Sequence, residues 1–434
     1  RSTMFLLKFY TDVMGVSAAI VGLMMMAARF VDAVTDVTMG QIVDRSRPGK
    51  KGKFAPWIRR MCGPVALASF LMYATYFKGM PMGFKIFWMF FTYLLWGSIC
   101  YTGVNIPYGS MASAISDNPT DRASLSNWRT IGATLAQTVI GVVLPLAVYY
   151  TDAAGNKVLS GEKMMIGALV CSIGAVICYM LCYHMTTERV KVEQNTQKFS
   201  FKELISEIAH NKALIGIIVC ALLFLLAQLS LSNMNNYIYP NYFGNVSAMS
   251  LANLAGMVVI LVLSTFIVKL SAKVGKKELS VIGSIISAAA FLILFFIHTD
   301  NVWVWIVLVL ISSVGTAMFN MVIWAMITDV IDDSEVRTGV RQDGTIYSVY
   351  SFARKLGQAC SSGISGVLLS IIGYTAATAH DPKVVDGIYN VTCLVPALGM
   401  ILLFLALQFL YPLNKKRVEE NAKILKERRE AKVQ

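Results

Sequence analysis

Apolar runs of bilayer length recur along this 434-residue chain, each closed by a short polar or charged stretch. After a fragment at Met4–Tyr10 they lie at Ser17–Val43, Trp57–Phe77, Phe84–Ser113, Asn127–Tyr150 and Met164–Tyr183. Six more follow at Ala213–Tyr239, Ser247–Leu270, Leu279–His298, Val302–Val330, Thr345–Ile372 and Asn390–Tyr411. A helix rises about 1.5 Å per residue and crosses a hydrocarbon core of about 30 Å with about 20 apolar residues. Lipid offers no water to satisfy backbone amides, so runs of this length predict membrane-spanning helices. The pattern therefore predicts an all-α polytopic membrane protein with twelve spans. The first is expected to lack its beginning, since Met4–Tyr10 is too short to cross, Arg1 is not a start residue, and a signal peptide is not expected, with neither its charged region nor its cleavage pattern here.

One long polar break divides the spans six and six. It gives an N-terminal half over 1–185, a central cytoplasmic loop over 186–212, a C-terminal half over 213–412 and a charged tail over 413–434 whose composition predicts a helix. Within the loop, the stretch from Phe199 to Ile208 is amphipathic and predicts a short helix along the membrane surface.

Composition narrows the class. Hydrophobic residues make up 56%, charged residues 15%, and mean hydropathy is +0.61, against about 25% charge in soluble chains, which excludes an ordinary soluble enzyme. The net charge of +13 would suit nucleic acid, but Lys and Arg cluster in short loops between spans, so no nucleic-acid partner is expected. Such clustering is the positive-inside pattern. The basic segments Asp44–Arg60, the central loop, Lys273–Lys277 and the tail are read as cytoplasmic, with both termini inside. Thr11–Gly15, Lys78–Lys85, Thr151–Lys163, Tyr239–Val246, Thr299–Asn301 and Ala376–Gly387 then lie outside. Eight cysteines are scattered, mostly within spans, and share no zinc-ligand spacing with the four histidines, so they read as small buried hydrophobes.

Against this apolar background two carboxylates stand out. Asp32 and Asp36 lie on the order of 15–20 Å into the membrane from the basic loop at Arg45. Ionisable groups at that depth are costly and normally handle ions, protons or polar substrates. Four-residue spacing puts both on one helix face, and like charges so close need a cation or a proton between them. A local ion pair of Arg29 with Asp32 or Asp36 is the structural alternative, and it leaves one acid unpaired.

Several motifs together resemble one family. These are Tyr10-Thr-Asp-Val-Met-Gly-Val-Ser17, Asp32-Ala-Val-Thr-Asp-Val-Thr-Met-Gly-Gln-Ile-Val-Asp44 and Gly52-Lys-Phe-Ala-Pro-Trp57 in the first part of the chain. Asn105-Ile-Pro-Tyr-Gly-Ser110 with Asp121-Arg122, Asp329-Val-Ile-Asp332 and Tyr347-Ser-Val-Tyr-Ser-Phe-Ala-Arg-Lys355 complete the set. The chain resembles the glycoside-pentoside-hexuronide:cation symporters, which include the melibiose permease and belong to the major facilitator superfamily. The Asn-Ile-Pro-Tyr-Gly-Ser run resembles the glucuronide and xyloside branch.

The resemblance implies a twelve-helix fold of two halves that rock about a central site, and it implies roles. Asp32, Thr35, Asp36 and Thr102 correspond to the family's cation site, and the coupling cation is Na⁺ or H⁺, with no other cofactor or metal. Tyr101, Asn105, Arg129 and Lys355, with Tyr350 and Ser351 a turn away, correspond to the sugar site. Thr35 stands where the melibiose branch has Asn, Asn105 where it has an acid and Gly109 where it has a stacking tryptophan. A uronide or other glycoside is therefore the expected small-molecule partner. Arg129 and Lys355 could equally balance Asp32 and Asp36, and Tyr101 and Tyr350 are also read as packing aromatics. Arg47 and Lys53 are expected to latch against Asp332, Asp333 or Glu335 as a cytoplasmic gate. The reading is a monomeric cation-coupled sugar symporter of the cytoplasmic membrane, not an enzyme. A sugar sensor without transport and a lysolipid carrier on the same fold are the alternatives.

Overall fold

The computed structural model describes residues 5–46, 49, 51–115, 119–189, 211–339 and 343–433, and among them helices follow the hydropathy pattern. The first is α1 (Leu6–Lys8), which runs on as a π turn over Phe9–Val13, followed by α2 (Ala18–Arg45) and α3 (Ala55–Leu71). Next, α4 (Met82–Leu94) and α5 (Thr102–Ile115) form one rod through a π-helical segment at Leu95–Tyr101, and α6 (Pro119–Val148) and α7 (Gly161–Met185) close the first set. The second set is α8 (Lys212–Tyr237), α9 (Val246–Val274), α10 (Lys276–Ile297), α11 (Val302–Thr338), α12 (Asp343–Ile371) and α13 (Pro382–Leu405). The tail forms α14 (Lys415–Val433), as its composition predicted. Eight helical stretches among the described residues are long and apolar enough to cross a membrane.

Side-chain caps set several starts. Ser160, Asn211, Asn245 and Asn301 accept backbone N–H groups at the heads of α7, α8, α9 and α11. Gly275 and Gly339 end α9 and α11 at φ of 110° and 75°, where a side chain would be strained.

Two features depart from the expected layout. The loop Thr151–Lys163, expected outside, is not irregular throughout: Tyr149–Thr151 and Lys157–Leu159 pair as β1 and β2 of a small hairpin. Asp152 Oδ1 accepts the N–H groups of Ala154 and Asn156, and Gly155 supplies a φ of 83°, so the turn makes the hairpin. In addition, α11 continues past Val330 to Thr338, which puts Asp332, Asp333 and Glu335 on a helix end. The amphipathic stretch from Phe199 to Ile208 lies outside the described residues.

The chain packs as two units, one of Arg1–Lys198 with Gly366–Val384, the other of Phe199–Ser365 with Val385–Gln434. In the first, the end of α12 lies against α2. Ser370 Oγ accepts the Ala19 N–H at 2.9 Å, and Gly366 sits where a Cβ would strike the Ala18 carbonyl. Beyond it, Tyr374 bridges a buried ion pair: Lys8 Nζ lies 3.0 Å from Asp12 Oδ2 and donates to the Tyr374 hydroxyl, which donates to Asp12 Oδ1 at 2.7 Å. The second unit is built on Leu214, Ile217, Phe224, Phe319, Met326 and Leu407. There α10 and α11 approach backbone to backbone at Gly283 and Gly315, the small-residue contact that drives helix association where lipid is as apolar as leucine.

Candidate functional site

The geometry around the two carboxylates is local to the first unit. On α2, Asp32 and Asp36 project one turn apart toward the π-helical segment Leu95–Tyr101 and the start of α5. Ser98 Oγ donates to Asp32 Oδ1 at 2.6 Å, and Thr102 Oγ1 donates to Asp36 Oδ1 at 2.9 Å. The four-residue step between the acids is thus met by a four-residue step between hydroxyls on the facing rod. Gly97 keeps the approach close, since a Cβ there would lie 3.3 Å from Asp32 Oδ1. A π turn inside a long helix commonly marks a functional site, because the extra residue re-aims side chains. Here it leaves Ser98 and Thr102 facing α2.

The local ion pair also forms, in part. Arg29 Nη1 stands 3.7 Å from Asp32 Oδ2, with 31% of the arginine side chain exposed, a weak contact that leaves the Ser98 bond as the tighter one. Thr35 turns its hydroxyl back onto the carbonyls of Val31 and Asp32, at 3.1 Å each. Two carboxylates and two hydroxyls form an all-oxygen donor set, suited to a hard cation, and either carboxylate can also take a proton. Ser98 was missed in the sequence, although its spacing from Thr102 repeats that of the acids.

The residues assigned to sugar do not form one cluster within either unit. Asn105 is half-buried on α5, Tyr108 lies one turn on, and the exposed Arg129 of α6 lays its guanidinium over the Tyr108 ring, 5.2 Å from its centroid. Gly109 lies beside the guanidinium: a Cβ there would stand 3.9 Å from Arg129 Nη1, an ordinary contact. Tyr101 faces another way and stacks on Trp96 at 5.3 Å. In the second unit Tyr350 is buried in the core against Trp324, as a packing aromatic is. Lys355 is half-buried on the same helix, and the side chain of Ser351 lies outside the described residues.

Of the gate residues, Arg47 lies outside the described residues. The Lys53 N–H, with those of Phe54 and Ala55, donates to the Glu188 carboxylate, which ties the head of α3 to the start of the central loop. Asp333 is engaged inside the second unit: Arg337 Nε, Arg417 Nη2 and Asn421 Nδ2 reach its carboxylate at 3.0, 3.2 and 3.1 Å. Asp332 and Glu335 are half-buried beside it, and Arg428 donates to the Glu335 carbonyl. Glu188 and the docking of α14 on α11 were not foreseen.

Comparison with known proteins bears on the family and the fold. The model of the family "MFS/sugar transport protein" matches residues 2–415. An uncharacterized symporter of Bacillus subtilis, YjmB, is 32% identical over 94% of this chain and 88% of its own length. A glucuronide carrier protein homolog of Escherichia coli is 31% identical over 96% of this chain and 89% of its own. Among solved structures, a bacterial homolog of the human lysosomal transporter Spinster shares the fold with a TM-score of 0.64 at 12% identity, covering 94% of this chain and 91% of that one. The chain belongs to the MFS/sugar transport protein family, in the branch of the glycoside-pentoside-hexuronide symporters, and is a membrane transporter, not an enzyme.

Proposed function

We propose that this transporter carries a glycoside inward across the cytoplasmic membrane, as a monomer with both termini inside, in symport with a cation held by Asp32 and Asp36. The observation that carries the reading is the matched pair of carboxylate–hydroxyl contacts, Asp32 with Ser98 and Asp36 with Thr102. Half-buried acids so arranged have a use in coupling that a sensor would not need, and the polarity of Asn105, Arg129 and Lys355 speaks against a lysolipid carrier. The oxygen donors favour Na⁺, with H⁺ as the alternative. In proteoliposomes, Asp36→Asn is expected to abolish accumulation against a gradient while sparing counterflow exchange. Unchanged accumulation in both Asp36→Asn and Asp32→Asn would remove the cation site, and accumulation driven by a pH gradient alone would select H⁺.

The preferred substrate is a uronide. Arg129, over the Tyr108 ring one turn from Asn105, suits a substrate carboxylate, which a guanidinium holds bidentately. The glucuronide carrier homolog among the relatives supports the same class. A glucuronide is therefore expected to compete at least as well as the matching glucoside. Asn105→Asp should penalise the glucuronide selectively, by about tenfold for a carboxylate set against it. Equal inhibition by both sugars in both proteins would leave the neutral glycoside as substrate.

A further inference from the structure

A cavity of about 330 Å³ lies within the first unit, on the far side of the π-helical segment from the carboxylates. Its walls come from α3 (Val65, Ala66), α6 (Ala136, Gln137) and α7 (Ala168, Ser172), and it is mostly apolar. At one edge stand the stacked rings of Trp96 and Tyr101. Tyr101 is 36% exposed and precedes Thr102, whose hydroxyl meets Asp36, so one peptide bond separates the cavity's rim from the cation site. On the α7 wall, Ser172 is 6% exposed and its hydroxyl has no hydrogen-bond partner among the described residues.

A buried hydroxyl without a partner costs free energy unless something fills the need. Ser172 lies near the middle of α7 (Gly161–Met185), about 16 Å from the start of that helix at the helical rise. A phospholipid headgroup stays at the bilayer surface and does not reach that depth, and an acyl tail has no group to offer a hydroxyl. The volume falls at the small end of pockets for small molecules, enough for a short chain or a ring but not for an extended one. Stacked aromatic rings at the edge suit the face of a sugar ring or an aryl group.

We infer that this cavity receives the aglycone of the transported glycoside, an apolar group that ends in one hydrogen-bonding atom directed at Ser172. The inference rests on the glycoside reading given above and narrows it. The glycone stays on the Thr102 side of Tyr101 and the aglycone passes Tyr101 toward Ser172. A substrate with such an aglycone gains apolar burial that a methyl glycoside cannot.

Isothermal titration of the full-length protein in nanodiscs tests it with methyl, hexyl and 5-hydroxypentyl β-D-glucuronides. Each buried methylene is worth about fourfold in affinity, so hexyl should bind at least about tenfold tighter than methyl. The hydroxypentyl compound, of the same length, should bind at least as well as hexyl. Ala136→Trp fills the cavity and should bring the hexyl-to-methyl ratio close to one. Ser172→Ala, which removes a single atom and keeps the helix, should lower the hydroxypentyl-to-hexyl ratio about fivefold. Binding of methyl glucuronide with no gain for the longer compounds overturns the cavity assignment and leaves the glycoside reading standing. A gain that survives both substitutions also overturns it, as does a copurified lipid that mass spectrometry finds lost from Ala136→Trp. Binding of none of the three compounds counts against both readings.

Discussion

At the residue scale, the acid pair was legible because four apolar turns with two carboxylates one turn apart allow few uses, and the family motifs named Thr102 as a partner. Ser98 was not legible. A lone serine in an apolar span most often bonds its own helix, and only the facing geometry shows it donating to Asp32 at 2.6 Å. If Ser98 is a cation ligand in the way Thr102 is proposed to be, losing its oxygen should weaken the cation and not the sugar. Ser98→Ala is expected to raise the half-saturating Na⁺ concentration for uptake about tenfold, in line with a hydrogen bond to a charged group. Ser98→Thr, which keeps the oxygen, should stay near the parent. Sodium titration of uptake at saturating sugar decides it, and an unchanged half-saturation in Ser98→Ala would make Ser98 a packing residue. Tyr101 shows the limit of adjacency: neighbours along a helix point about 100° apart, so Tyr101 stacks on Trp96 while Thr102 meets Asp36.

Helices are what hydropathy predicts well, and their ends are where it fails. The extension of α11 to Thr338 was hidden because Asp332 and Asp333 fell past the apolar run that ends at Val330, whereas Lys276 holds Asp329 at 2.6 Å and Arg337 holds Asp333, so the charges are paired in helical conformation. Pairings this distant in sequence leave no periodic trace, as Lys8 with Tyr374 also shows. Glycines give a sharper test of how elements meet. On α11, a Cβ on Gly315 would strike the Gly283 carbonyl and lie 3.0 Å from the Ser287 N–H, both backbone groups that cannot rotate away. The contact is reinforced by the Ser287 and Ser312 hydroxyls, 2.6 Å apart. Gly315→Leu must therefore part α10 from α11 and is expected to cost about 2 kcal/mol or more, as overpacking does. Gly256→Leu, on α9 with nothing within 4 Å, is the control and should leave the thermal unfolding midpoint in detergent nearly unchanged. Equal midpoints for the two variants would show that the helices separate at no cost.

For the whole molecule, the sequence divides at its central loop, yet Gly366–Val384 packs with the first unit, a grouping that a linear pattern of apolar runs cannot express. Orientation is different, because charge is written along the chain and the structure carries an independent trace of it. In the second unit, Lys415 Nζ donates to the Lys273 carbonyl while Arg417 and Arg428 reach the end of α11, so the basic turn Lys273–Lys277, the tail and Arg337 share one end. In the first unit, Glu188 joins the start of the central loop to Lys53, Phe54 and Ala55, so those two basic segments share an end as well. Segments that the charge rule assigns to one side of the membrane are thus the ones that touch within each unit. The rule predicts that side to be cytoplasmic. A fluorescent protein fused after Gln434 should mature and fluoresce, alkaline phosphatase inserted at Lys53 should be inactive, and the same enzyme inserted in the hairpin turn at Ala154 should be active. A dark carboxyl-terminal fusion together with active phosphatase at Lys53 would invert the molecule in the membrane, and the proposed inward symport would then have to run from the other face.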